Sequence, residues 1–237
     1  MQINGATALV TGTNRGIGRH LAAQLVERGA TVWATARRPE LIDLDGVRTL
    51  ALDITDPASV AHAAAVATDV DLLVNNAGIA TGATLLGEDL GAAHAEMDTN
   101  LWGTLAVVRA FAPVLARNGG GTVVNVASSA SWLAVPGATA YAVTKAAVWN
   151  LSNALRHELA AQGTSVVSVH LGVADTDMGA GFAFDKTDPA DVARATLDGV
   201  ERDAYEVIAD EQTVLVKKML AGDPEELYAL IAQLLAA

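Results

Sequence analysis

The chain has 237 residues, 51% hydrophobic, 18% charged and 4% aromatic, with no cysteine. This composition fits a globular protein and excludes a disulfide scaffold, a cysteine nucleophile and any cysteine-ligated zinc or iron–sulfur centre. With 15 basic and 27 acidic residues the net charge is −12, so a phosphate backbone would meet repulsion over most of the surface and nucleic acid is not expected as a partner.

The mean hydropathy of +0.32 reflects alanine and valine spread along the chain. No stretch approaches the roughly 18 uninterrupted apolar residues of a spanning helix, so no membrane is expected. The first residues offer neither a basic n-region nor an apolar h-segment, and a cytoplasmic location is the expectation.

Short β-branched apolar runs alternate with longer Ala/Leu-rich stretches of helical period. In chain order they predict a strand at 6–11, a helix at 16–27, strands at 31–35 and 47–52, a helix at 57–68 and a strand at 72–75. A long helix at 88–117, a strand at 122–127, a helix at 141–161, a strand at 166–170, a helix at 189–202, a strand at 206–208 and a helix at 224–235 follow. The strands read as buried runs, as strands covered by helices on both faces should. Asp56-Pro57, Asp188-Pro189 and Asp223-Pro224 read as N-cap and N1 pairs. Gly119-Gly120-Gly121 reads as a helix C-cap and turn. The alternation implies an α/β fold, a doubly wound parallel sheet flanked by helices, in a single domain over 1–237.

Thr11-Gly12-Thr13-Asn14-Arg15-Gly16-Ile17-Gly18 joins the first strand to the first helix, the place where a Rossmann fold offers helix N–H groups to a dinucleotide pyrophosphate. Gly12 suits the sharp turn, Gly16 the close approach to phosphate and Gly18 the packing of helix on strand. An NAD-preferring site usually carries Asp or Glu at the end of the second strand, about 20 residues on, to bond the ribose hydroxyl. Here the chain reads Thr35-Ala36-Arg37-Arg38. With no carboxylate there, Arg37, and Arg15 as a second candidate, can pair with a 2′-phosphate, so NADP(H) is favoured over NAD(H). Arg38 reads as a solvated loop residue.

Tyr141 and Lys145 stand four residues apart on one face of a predicted helix, and Ser128 precedes the tyrosine by thirteen residues, at the C-terminal end of a strand. With the glycine loop and Asn75-Asn76-Ala77-Gly78, they make the chain resemble the short-chain dehydrogenases/reductases over nearly its whole length. The resemblance implies an oxidoreductase interconverting a ketone or aldehyde and an alcohol. Tyr141 would be its general acid/base, Ser128 would bond the carbonyl oxygen, Lys145 would favour the phenolate and bond the nicotinamide ribose, and Asn100 would help hold a water beside the lysine. It also implies that Gly12, Asn14, Arg15, Gly16, Ile17, Gly18, Arg37, Asp53, Ile54, Asn76, Ala77, Gly78 and Thr176, with Tyr141 and Lys145, bind the cofactor. No metal is required. The five histidines show no metal-ligand spacing, and His170 reads as a core residue or a backbone partner.

Two departures from the family pattern stand out. Leu171-Gly172 replaces the usual Pro-Gly pair, which puts the local loop shape in doubt, and the segment 178–188, which should cover the substrate, is short and glycine-bearing and suggests an open or mobile site. The second departure is the absence of the family's glycine-rich ending. In its place, 210–237 reads as two helical pieces with Leu227, Leu230, Ile231 and Leu234 at helical spacing, suited to core packing or a subunit contact. A homodimer through the two long helices is expected, with a tetramer as the further possibility. Ser129, Trp132, Leu133, Val135, Phe182 and Phe184 suggest a pocket for an apolar or aromatic carbonyl compound or alcohol. The alternative to an enzyme is a non-catalytic NADP-sensing or partner-binding protein on the same fold.

Overall fold

The computed structural model describes residues 1–88, 90–183 and 185–236. Seven strands, β1 (Thr7–Thr11), β2 (Thr31–Ala36), β3 (Val47–Ala51), β4 (Leu72–Asn75), β5 (Gly121–Val126), β6 (Thr164–His170) and β7 (Glu206–Ile208), pair in parallel in the order β3-β2-β1-β4-β5-β6-β7. The order reverses between β1 and β4, and a crevice outside the carboxyl ends of strands at such a switch point is where open α/β sheets bind ligands.

Successive strand residues point to opposite faces, and here both faces are apolar. Ala8, Val10, Leu72, Val74, Val124, Val167 and Val169 pack on one side with Leu21 and Leu25 of α1 (Gly16–Glu27) and Ala193, Leu197 and Val200 of α6 (Pro189–Glu201). Leu9, Leu73, Val123 and Val166 face the other side, against α2 (Pro57–Val66), α4 (Thr104–Arg117) and α5 (Thr139–Leu159). The exception is β3, whose Arg48 and Thr49 are exposed. It is one of the two edge strands, and its reading as a run buried on both faces does not hold: Arg48 pairs with Asp69 at 3.0 Å and lies over the Trp33 ring.

Asp56, Asp188 and Asp223 accept bonds from Ala58, Ala190 and Glu225 N–H groups, as the Asp-Pro pairs predict. The glycine triplet also turns as expected: Gly120 N–H closes on Leu115 O, and a Cβ on Gly121 would sit 2.1 Å from Asp71 O.

The long helix expected at 88–117 is instead α3 (Gly91–Met97), a π-helical turn (Asp98–Gly103) and α4. By average composition and length the run Gly91–Arg117 could cross a membrane. Its apolar residues Val107, Phe111, Val114 and Leu115 are buried against the sheet, which accounts for that composition. Beyond β7, α7 (Glu211–Met219) and α8 (Pro224–Ala236) complete the fold. Leu227 and Ile231 are buried with Leu133 and Val216, so core packing explains them, while the side chain of Leu234 lies outside those described.

Candidate active site

A cleft of about 1270 Å³ runs along the carboxyl edge of the sheet, from Arg37 and Asp53 at one end to Gln212 and Ile231 at the other. At the switch point the loops after β1 and β4 are stapled together. Thr11 Oγ1 accepts the N–H groups of Asn76 and Ala77, both at 3.0 Å, and Asn76 Nδ2 donates to Thr11 O at 2.9 Å and to Gly12 O at 3.2 Å. Gly18 lies so close beneath this staple that a Cβ would stand 2.2 Å from Gly12 O and 2.4 Å from Asn76 Nδ2. Gly16 has φ +56°, and a Cβ there would meet Thr176 Cγ2 across the groove at 3.3 Å.

Asp side chains cap α2, α6 and α7, but no side chain caps α1. Its first N–H groups are thus left for an anion, beside a loop that glycine keeps thin, and the donor set fits a dinucleotide pyrophosphate. Asn14, Ile17, Ile54 and Gly78 line the same cleft. At the far end Arg37 is exposed on the cleft wall near Asp53. Burial raises the Asp53 carboxyl, but two hydrogen bonds from Thr55 and the Arg37 charge outweigh it and hold the group below its ordinary value.

Ser128, Tyr141 and Lys145 meet at the middle of the cleft. Ser128 follows β5 in extended conformation, and its Oγ accepts the Ala130 N–H at 3.1 Å. Lys145, one helical turn after Tyr141 on α5, is buried, donates to Val126 O at 2.7 Å and lies 5.5 Å from the tyrosine ring centre. Burial lowers its ammonium to about 8. Burial also pushes the Tyr141 hydroxyl up to about 12; the Ser128 hydrogen bond opposes this and the Glu96 charge adds to it. Burial is the largest cause for both groups, and Lys145, with one of its three N–H donors on Val126 O, keeps its ammonium beside the tyrosine ring.

Asn100, carried on the π turn, receives the Ile79 N–H on Oδ1 at 2.9 Å and donates to Ile79 O and Thr144 Oγ1, which in turn bonds Tyr141 O. Its side chain clamps the loop after β4 onto α5.

A family model described as short chain dehydrogenase matches residues 6–186. The chain belongs to the short-chain dehydrogenase family. A crystal structure of a short chain dehydrogenase from Burkholderia cenocepacia in complex with NADP superposes with TM-score 0.92 at 37% identity, covering 98% of this chain and 99% of that one. A 3-oxoacyl-[acyl-carrier-protein] reductase of Vibrio harveyi is 34% identical over 75% of this chain and 77% of its own. An uncharacterized oxidoreductase of Staphylococcus aureus is 30% identical over 80% and 88%. As a short-chain dehydrogenase the protein is an NAD(P)-dependent oxidoreductase of small molecules.

The remaining positions of the short-chain dehydrogenase pattern lie along the same cleft. Arg15 reaches Asp177 at 2.7 Å in an exposed ion pair and lines the cleft, as do Arg37 and Arg38, both exposed to solvent. Thr176 precedes a short 3₁₀ turn but does not cap it; its methyl faces Gly16. Leu171, in place of proline, is buried against Val126, Ala174 and Val192, and its carbonyl takes the Ser129 N–H at 2.8 Å. The 178–188 segment is closed at its base by an Ala174–Thr187 bridge, with Asp175 N–H on Thr187 O and Thr187 N–H on Val173 O, both at 2.9 Å.

Of the expected pocket residues, Ser129, Leu133, Val135 and Phe182 line the cleft. Trp132 does not: it stacks on His170 with ring centres 4.2 Å apart. Phe184 lies outside the described residues. Sequence reasoning missed Gln212, Thr213 and Val216 of α7 and Ile231 of α8, which form the far wall, and Glu96, fully buried, whose Oε1 accepts the Thr81 hydroxyl at 2.7 Å. Nothing local marks the α7 residues; only the packing of the last two helices on the loop after β5 brings them to the site.

Proposed function

We propose that this short-chain dehydrogenase reduces the carbonyl of a small apolar ketone or aldehyde to an alcohol with NADPH, and that it catalyses the reverse oxidation with NADP⁺. The nicotinamide, when bound, supplies or accepts the hydride. Ser128 donates a hydrogen bond to the substrate oxygen, and Tyr141 gives that oxygen its proton, so that a C=O bond becomes CH–OH. The observation that carries this reading is the meeting of Ser128, Tyr141 and Lys145 in one cleft, with the Lys145 ammonium 5.5 Å from the tyrosine ring centre. Lys145 places positive charge behind the phenol as it gives up the proton, and Asn100 fixes the α5 turn that carries Tyr141.

NADP(H) is favoured over NAD(H) because the end of β2 offers Arg37 and Arg38 and no carboxylate. We also place the chain as one domain that pairs into a homodimer through α4 and α5, whose shared groove is lined by Leu105, Val108, Leu151 and Leu155. Sedimentation of the purified protein reads that association directly.

The decisive experiment follows NADPH oxidation with a panel of ketones and aldehydes for the wild type and Tyr141→Phe. Loss of a general acid costs about 10²–10⁴ in rate. A fall of that size with NADPH affinity retained supports the assignment. Wild-type turnover by the variant, or no turnover by either protein on any carbonyl compound, overturns it.

A further inference from the structure

The peptide that follows Ser128 is fixed at both of its polar groups. Ser129 N–H donates to Leu171 O at 2.8 Å, and the Ser128 carbonyl is held by His170 Nδ1 at 3.0 Å. His170 is the last residue of β6, fully buried, and it does not line the cleft. The direction of the bonds that reach it is forced. Arg156 of α5 can only donate and gives an Nη2 hydrogen to Ser168 Oγ at 3.3 Å, while the Ser128 carbonyl can only accept. A neutral imidazole has one donor and one acceptor, so its proton stands on Nδ1 and the Ser168 hydroxyl donates to Nε2 at 3.2 Å.

The charged groups around the ring leave it neutral. Glu206 of β7 comes within 3.8 Å of Nε2, but its two oxygens are taken by Lys217 of α7 at 2.9 Å and by Trp149 Nε1 at 2.8 Å. Burial is the largest influence on His170 and, with the Lys217 and Arg156 charges, outweighs the Ser128 bond and the Glu206 charge. The ring is also held in place by its neighbours. Trp132 stacks on it at 4.2 Å between centres and 19° between planes, Trp149 meets Trp132 edge-on, and Lys217 Nζ lies 4.2 Å from the Trp132 ring centre. A stack of imidazole, indole and ammonium thus joins β6 to α7 directly behind the strand end that carries Ser128.

We propose that His170 is a positioning residue: its Nδ1–H fixes the Ser128 peptide so that the Ser128 hydroxyl stands where the substrate oxygen binds, and Trp132 with Lys217 holds the imidazole in register. The inference rests on the role proposed above for Ser128. His170 exchanges no proton with the substrate and acts on the rate through Ser128 alone. A misplacement of about 1 Å at a reacting centre costs on the order of 10² in rate, so a peptide held at both polar groups is matched to that demand.

The experiment joins a double-mutant cycle to NMR spectra that need no turnover. His170→Phe keeps a ring to stack on Trp132 but has no donor, whereas His170→Asn places an amide N–H two bonds from Cβ, as Nδ1 is. With a ketone that the wild type reduces, His170→Phe should lower kcat by about ten- to a hundredfold with NADPH affinity unchanged, and His170→Asn should recover most of that loss. In the Ser128→Ala background the same phenylalanine should cost less than about twofold, because the group it misplaces is already gone. An undiminished loss in that background, wild-type turnover by His170→Phe, or a His170→Asn variant as slow as His170→Phe overturns the proposal. Long-range proton–nitrogen spectra of the wild type read the tautomer, and the Ser128 carbonyl carbon, correlated with the Ser129 amide, should shift in His170→Phe. If no carbonyl compound is turned over, the proposed reaction falls, while a proton on Nδ1 and a shifted Ser128 carbon keep the placement of Ser128 by His170. A proton on Nε2 overturns that placement whether or not the protein turns over, and the wild-type spectrum decides it even if the phenylalanine variant does not fold.

Discussion

The imidazole of His170 holds the main-chain carbonyl of Ser128 at 3.0 Å through Nδ1. A carbonyl only accepts, so Nδ1 carries the proton and Nε2 accepts from the Ser168 hydroxyl at 3.2 Å. Trp132 stacks on the ring, and Lys217 sits 4.2 Å above the Trp132 ring while pairing with Glu206 at 2.9 Å. A neutral histidine therefore sets the backbone from which the Ser128 hydroxyl projects.

Burial, against the Ser128 hydrogen bond and the Glu206 charge, lowers His170 to about 4 from 6.5. The unfolded chain binds a proton in that window and the folded chain does not, so stability falls as pH drops from 6.5 through 4, by of the order of 3 kcal/mol from this residue. Urea unfolding of the wild type and His170→Gln across that window checks it. The variant should show a flatter dependence on pH, and parallel curves would remove His170 as the source.

Lys145 gives a second pH dependence, of activity. With its ammonium lowered to about 8 and Tyr141 raised to about 12, the lysine titrates first as pH rises. For ketone reduction at saturating NADPH, kcat/KM should be level up to about pH 8 and fall above it as the charge behind the tyrosine is lost. Lys145→Arg, which stays charged, should react more slowly but without that alkaline fall. A wild-type profile level to pH 10 would show that the lysine charge plays no part.

Cofactor choice should turn on the end of β2. Replacing Ala36 by Asp and Arg37 by Gln adds a carboxylate that repels a 2′-phosphate and accepts from a ribose hydroxyl, so both effects act in one direction. Hydrogen bonds to charged groups contribute about 1.5–3 kcal/mol, enough to reverse an NADP preference by about tenfold or more. Dissociation constants for both dinucleotides decide it, and tighter NAD binding by the unaltered protein would make Arg37 an ordinary surface charge.

What the sequence discloses here is what depends on near neighbours. The glycine loop, the Asp-Pro caps and the Tyr141–Lys145 pair are local spacings, and each stands in the structure where its spacing placed it. The π turn was hidden because its residues fit a helical pattern, although the buried Glu96, Asn100, Thr104 and Val108 recur at intervals of four. The edge position of β3 was signalled by Arg48 and Thr49 within an otherwise apolar run. Thr213 and Ile231 could not be placed beside Leu133, because only tertiary packing joins chain segments so far apart.

The turn at Asp98–Gly103 makes that stretch a counted length. A regular helix advances about 100° per residue, so residues four apart drift around its axis, and the wider turn takes up the drift. Glu96 and Asn100 can consequently face the loop after β4, bonding Thr81 and Ile79, while Val107 and Phe111 face the sheet. Gly103 closes the turn beneath Ile54, where a Cβ would stand 2.9 Å from the isoleucine. Deleting one residue between 98 and 103 would let the segment rewind to a regular helix with α3 and α4 keeping their facings, so what would be lost is the widened turn itself and the placement of Asn100 on Ile79 and Thr144. Side chains at exposed positions such as Trp102 can be exchanged without that consequence. The site is therefore protected at this point by the number of residues more than by their identity, and a gain or loss of one would be felt at the loop after β4 before any change of an exposed side chain.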